Sequence, residues 1–317
     1  MAPQFLLFGN YDTKKCLLAK NIFSLYLCGV KSEKMMDRLE NLNAIIQGLM
    51  ADEHVSHRIP SSLHDKQRMM RALMNVWSSE RIQACLEGRV ATSKDEVNVW
   101  EPCEVSAELL AMQDAELLQQ AEDKGIVAIE GGGLQLWQGD ITRLKVDAIV
   151  NAANAQGLGC WAPLHNCIDN CIHSAAGIQL RNECNDQLQG RLLKTGEAII
   201  TKGYNLPAKH VIHTVGPIIG TGVPTKEQEE QLAQCYRSCL DLAEQAGLES
   251  IAFCCISTGV FHFPNERAAE IAVETVTNYP RQSVKTVVFN VFLDKDREIY
   301  NELRVKNREL RGIACGE

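Results

Sequence analysis

With 317 residues, 45% of them apolar, the chain has material for one large domain with an appendage or for two domains. Its formal net charge of −8 argues against nucleic acid as a partner, because binding a phosphate backbone needs a clustered basic surface. A small anionic ligand stays open, since backbone N–H groups and a helix N-terminus can hold a phosphate without net positive charge.

Residues 1–34 are poor in acid and carry Lys14, Lys15, Lys20 and Lys31 but no arginine. The plain reading is a poorly ordered extension, with a mitochondrial presequence as the alternative. No apolar run reaches the ~20 residues of a membrane span, so no membrane association is expected. Thirteen cysteines without a secretory signal read as free thiols in a reducing, cytoplasmic setting, some of them open to a metal.

Residues 35–130 read as a helical segment. "MMDRLENLNAIIQGLM" puts Met35, Leu39, Leu42, Ile45, Ile46 and Leu49 on one stripe. Ser62 and Asp65 resemble a capping box before "KQRMMRALMNVW". "SAELLAMQDAELLQQAEDKG" begins after Pro102 and ends on Gly125, while 78–102 has weak periodicity and reads as irregular.

From residue 131 to 317 the pattern changes. Six β-rich runs appear ("LQLWQGDIT", "VDAIVNAAN", "GEAIITKG", "HVIHTVGP", "SIAFCCIST", "TVVFNVFL"), with helical patterns between several of them. This alternation predicts a three-layer α/β/α sandwich with a mixed, largely parallel sheet, preceded by the helical extension. Ligands in such sheets sit beyond the carboxyl ends of the strands.

Three loops there carry candidate ligand contacts. Asp140 in "QGDIT" offers a carboxylate to an exocyclic amine, or simply caps a turn. "VNAAN" ends a strand on Asn151 and Asn154, whose amides can pair with sugar hydroxyls while the alanines permit close approach. Ser257, Thr258, Gly259, Val260 and Phe261 precede Pro264 and a helix, a setting for N–H groups around a diphosphate. Between them, "GCWAPLHNCIDNCIHSAAG" (159–177) packs three cysteines and two histidines around Asp169.

"GDIT", "VNAAN", "CIDNCIHSAAG" and "ISTGVFHFP", in this order and spacing, resemble a macrodomain, the ADP-ribose-binding fold. "GCWAPLHNCIDN" stands where hydrolytic macrodomains of the MacroD type have a glycine-rich loop, and it resembles the zinc-containing bacterial and fungal subclass. "MMRALMNV" is similar to that subclass's N-terminal extension. The resemblance implies that Asp140 contacts the adenine amine, that the Ile141 N–H assists, that Asn154 touches the distal ribose and that 257–261 wrap the diphosphate. Phe292 stands where an aromatic ring stacks near adenine or packs into the core. His262 departs from the family's usual glycine.

The resemblance also implies one zinc ion on Cys160, His165 and Cys167, whose spacings of five and two suit a loop closing on an ion before a helix. Cys171 and His173 are competing donors, read as bystanders. Three protein ligands leave a fourth position open, as in catalytic zinc sites. Asn154 and Asp169 are then the expected catalytic pair. Asp169 orients or deprotonates water, steers the metal site, or serves the helix start.

The expected activity is zinc-dependent removal of mono-ADP-ribose from modified protein side chains, acidic ones foremost, by a monomer. The alternatives are a non-catalytic ADP-ribose reader with a structural zinc, an O-acetyl-ADP-ribose deacetylase, and hydrolysis of ADP-ribose phosphate.

Overall fold

The computed structural model describes residues 38–52, 58–75, 105–220, 222–306 and 310–312. The extension 1–34, Met35 and the irregular stretch 78–102 lie outside the described residues.

Helix α1 (Arg38–Asp52) buries Leu42, Ile45, Ile46 and Leu49, as the stripe predicts. They pack on α2 (Leu63–Asn75) and α3 (Ala107–Lys124) in a core shared with Met69, Leu73, Leu109 and Leu117. At the start of α2 the Asp65 N–H donates to Ser62 Oγ at 3.1 Å. The second half of the expected box differs, because Asp65 Oδ2 accepts from the same hydroxyl, at 2.6 Å, instead of a backbone N–H. Ser106 Oγ caps α3 by accepting from Leu109 N, and Gly125 ends it at φ +78°, a conformation that favours glycine. Arg38 forks onto Glu116 at 2.8 and 2.9 Å and ties α1 to α3.

A short parallel pair, β1 (Val127–Ala128) with β3 (Leu144–Lys145), joins this segment to the rest. The main sheet contains β2 (Gly133–Gln138), β4 (Ala148–Ala152), β5 (Ala198–Lys202), β6 (His210–Thr214), β7 (Ser250–Phe253), β8 (Thr286–Val291) and β9 (Leu310–Gly312). Their order is β5-β6-β4-β7-β8-β2-β9, and every neighbouring pair is parallel except β5–β6. Inner strands are buried along most of their length: Ile149 and Val150 in β4, and Val287 and Val288 in β8, have no exposure. Continuous burial of this kind is what a sheet covered on both faces requires.

Helices α4 (Ile168–Ala176) and α5 (Ile178–Leu188) pack on each other and meet α2 and α3, whereas α6 (Lys226–Gln245), α7 (Asn265–Asn278) and α8 (Asp294–Lys306) form a separate stack. The result is the expected mixed, mostly parallel sheet flanked by helices. The β1–β3 pair and β9 were not foreseen, because two or three residues are too few to carry a period. Among the described residues no helix is long and apolar enough to cross a membrane.

Candidate active site

Strands β2, β4, β7 and β8 run the same way, so the loops after Gln138, Ala152, Phe253 and Val291 emerge at one edge. On the first loop, Asp140 caps a 3-10 turn (Ile141–Arg143). Its Oδ1 accepts from Thr142 N at 3.0 Å and Thr142 Oγ1 at 2.7 Å, and its Oδ2 accepts from Lys124 Nζ at 3.1 Å. The turn-cap role is therefore real, and a third of the side chain stays open to a ligand. Burial alone raises this carboxyl, but the Lys124 ammonium and the Thr142 donors outweigh it and hold the group below its ordinary value. Ile141 is buried at the turn. Phe292 is 70% exposed just after β8, which rules out core packing, and its carbonyl accepts from Gln138 Nε2 at 3.2 Å.

The loop after β7 is a turn of unusual backbone. Ser257 and His262 have φ of +65° and +59°, in the left-handed region. The family's usual glycine at the His262 position has a physical reason, since only glycine adopts that φ without a Cβ penalty. Thr258 Oγ1 donates to Cys255 O at 3.0 Å, and the Phe261 ring packs on Leu188, Leu193 and Val215. Between these anchors, the N–H groups of Gly259, Val260 and Phe261 donate to no other backbone carbonyl among the described residues. Val260 is 64% exposed. Successive unengaged N–H groups form a concavity for an anion.

The two asparagines of "VNAAN" take different tasks. Asn154 is half-buried: its Oδ1 accepts from Gln156 N at 2.9 Å, and its Nδ2 lies 3.2 Å from Gly159 O and 3.5 Å from Asp169 Oδ2. Asn151 was expected to meet a sugar hydroxyl, but it is fully buried and its Nδ2 is committed to other partners. Nδ2 donates to Asp169 Oδ1 at 2.7 Å and faces His213 Nδ1 at 3.1 Å. Asn151 thus supports the site from beneath.

Asp169 lies in the first turn of α4, whose N-cap is Cys167. Burial pushes its carboxyl up to about 7, against the Asn151 hydrogen bond. His173, one turn later and read as a bystander, holds Nε2 3.6 Å from Asp169 Oδ1. Burial, then Arg181 and His213, hold this imidazole neutral. Its ring also lies against Gly159, where a Cβ would come within 2.8 Å of Cγ, and Gly159 itself has φ +84°. No bulkier residue fits that point of the loop.

Cys160, His165 and Cys167 come together, their donor atoms all within 4.8 Å of one another, with Cys160 Sγ 3.5 Å from His165 Nδ1. Two thiols and an imidazole are the ligands zinc prefers, so the residues fit that ion. The Cys167 thiol lowers the Cys160 pKa and His165 assists, while Cys167 itself is raised. The pair is therefore poised to supply a thiolate. Cys171 is outside the trio, with its sulfur 3.8 Å from Arg71 Nη2.

His173, Cys184 and His213 also approach one another beneath the site. Both nitrogens of His213 are engaged there: Nδ1 accepts from Asn151, and Nε2 lies 3.1 Å from Thr201 Oγ1, which donates to Val211 O. Burial also raises the Cys184 thiol and keeps it protonated. His213 and Cys184 thus form a neutral hydrogen-bonded pair under Asp169, and neither ring nitrogen of His173 has a hydrogen-bond partner among the described residues. The buried histidine of "HVIHTVGP" was the one available signal for it.

A profile described as Macro domain matches residues 150–272. A curated relative from Staphylococcus aureus, named protein-ADP-ribose hydrolase, is 45% identical over 282 residues, covering 84% of this chain and 97% of its own. One of the same name from Treponema medium is 50% identical over 220 residues, covering 65% of this chain and 84% of its own. The solved Trypanosoma brucei macrodomain in complex with ADP-ribose is 31% identical with a TM-score of 0.50, over 63% of this chain and 91% of that one. With the sheet, its strand-end loops and a relative aligned along most of its length, the chain belongs to the Macro domain family.

Proposed function

We propose that the protein is a hydrolase that removes mono-ADP-ribose from modified protein side chains, acidic ones foremost, by attack at the distal ribose linkage. Cys160, His165 and Cys167 hold one zinc ion per chain. The observation that carries this reading is the approach of Asp169 Oδ2 to the Asn154 amide, 3.5 Å, beside the loop that bears the Cys-His-Cys trio. The names of the relatives agree with its coarser part, hydrolysis of protein-linked ADP-ribose.

The Gly259–Phe261 N–H groups hold the diphosphate, Asp140 accepts from the adenine amine beside Ile141, and Phe292 offers its exposed ring to the base. Ser257 and Thr258 shape the turn. Asn154 orients the distal ribose. Asp169 Oδ1 is held by Asn151, which leaves Oδ2 to accept the proton of an attacking water. Bound at its trio, zinc supplies Lewis-acid polarisation of an oxygen at the reacting sugar.

The test uses a protein mono-ADP-ribosylated on acidic residues, with metal content and ADP-ribose binding measured alongside. Wild type releases ADP-ribose and carries one zinc; Cys160→Ser loses the metal and at least ~10²-fold in rate while still binding ADP-ribose. If both proteins bind ADP-ribose and neither removes the modification, the chain is a reader and the hydrolase reading is wrong. Fully active metal-free wild type removes the zinc from it.

A further inference from the structure

The metal loop is braced from outside by a helix that lies 94 residues upstream of it. Arg71, on α2, donates from Nη2 to the backbone carbonyl of His165 at 2.8 Å and to Asn170 Oδ1 at 2.7 Å, while Nε reaches the same Oδ1 at 3.2 Å. Asn170 has no exposure. It passes the constraint on, because its Nδ2 donates to Ala162 O at 2.9 Å and lies 3.4 Å from Cys160 O. Its backbone N–H points at Cys167 Sγ, 3.4 Å away. Arg71 and Asn170 therefore touch the backbone or sulfur of all three donor residues, Cys167 through the backbone N–H of Asn170.

The loop needs such a constraint. Leu164, between the donors, has φ +56°, a conformation that a branched side chain leaves unless its surroundings hold it. Within 160–167 the backbone makes one bond to itself, His165 N to Ala162 O at 3.2 Å, and the Ala162 backbone N–H also donates to Cys160 Sγ. An ion binding to an unbraced loop also has to offset the entropy of ordering it.

We infer that Arg71 is a positioning residue for the metal centre, and that the N-terminal helical segment is thereby a working part of the site. The inference rests on the reading of Cys160, His165 and Cys167 as zinc ligands. Arg71 touches neither metal nor substrate. It sets the loop shape in which the three donors meet, as groups behind a metal's ligands do elsewhere, where their loss weakens metal binding by about 10- to 100-fold. Lysine is an incomplete substitute, because one ammonium lacks the planar fork that reaches His165 O and Asn170 Oδ1 together.

The experiment titrates the full chain with zinc in competition with a chromophoric chelator, and follows unfolding of each metal-free protein in parallel. Arg71→Gln is expected to bind zinc about 10- to 100-fold more weakly than wild type, with Arg71→Lys between them. Arg68→Gln, on the exposed face of the same helix, is expected to match wild type. A dissociation constant for Arg71→Gln equal to that of wild type overturns the inference and leaves the zinc reading intact. Wild type that binds no zinc sinks the zinc reading itself, so the two failures are distinguishable. If Arg71→Gln does not fold, Arg71→Lys decides: weaker binding supports the brace, and wild-type affinity overturns it.

Discussion

Asn151 donates to Asp169 Oδ1 at 2.7 Å from a position with no solvent exposure. The same amide faces Nδ1 of His213, so one buried side chain fixes both a carboxylate and the tautomer of the imidazole behind it. The strand end that bears Asn154 toward the ligand edge thus also carries, three residues earlier, the support of the Asp169 carboxylate.

Replacing Asn151 by alanine separates these roles. The variant leaves Asp169 and His213 without their shared partner in the interior, at a cost of about 1–3 kcal/mol in unfolding free energy. Turnover on modified protein is expected to fall by ~10-fold or more, with KM nearly unchanged, because a residue without exposure makes no ligand contact. Urea unfolding and initial-rate kinetics measure the two effects; a rise in KM at constant kcat contradicts the assignment.

Asp169→Asn keeps the shape of the side chain and removes the proton acceptor. Turnover is expected to drop by about 10²- to 10⁴-fold. Calorimetric titration with ADP-ribose should give a dissociation constant within about threefold of wild type, a difference below ~0.7 kcal/mol. Loss of binding in step with turnover would make Asp169 a ligand-binding group.

Glu244, at the end of α6, ties that helix to the entry of β8. Its carboxylate accepts from Gln282 N, Ser283 N, Ser283 Oγ and Val284 N at 2.6 to 3.1 Å. Burial opposes ionisation, but these donors outweigh it and bring the group from 4.5 down to about 2. A carboxyl whose pKa is depressed on folding stabilises the native state above its unfolded value and loses that contribution as pH falls toward the folded one. The stability gap between wild type and Glu244→Gln should therefore be full above about pH 5 and narrow steadily from about pH 4.5 toward pH 2. Urea midpoints across that range check it, and a gap independent of pH contradicts it.

His262→Gly is expected to stabilise the protein. A non-glycine residue in the left-handed region costs ~1–2 kcal/mol, and the greater freedom of glycine in the unfolded chain returns ~0.5–1 kcal/mol, leaving a net gain of up to about 1.5 kcal/mol. Thermal unfolding measures it. A clear loss would mean that the imidazole makes contacts worth more than the backbone strain.

The layered fold was legible because its signals are local. Apolar runs such as "VDAIV" and "TVVFNV" declare buried strands, and Ser106 and Gly125 mark the ends of α3 by cap chemistry that involves only near neighbours. The Cys160, His165 and Cys167 trio was legible for the same reason, since all three fall within eight consecutive positions. Asn151 was misjudged because pattern alone does not tell which of two strand-end asparagines faces inward.

The chain by itself determined the elements, the strand-end loops and the donor chemistry, each set by interactions that reach only a few residues along the backbone. Tertiary structure alone decided that Asn151 and His213 lie under Asp169, and that Arg71 grips a loop 94 residues away. Those relationships join strands and helices distant in sequence, and no local period or motif encodes which side chains meet when such elements pack.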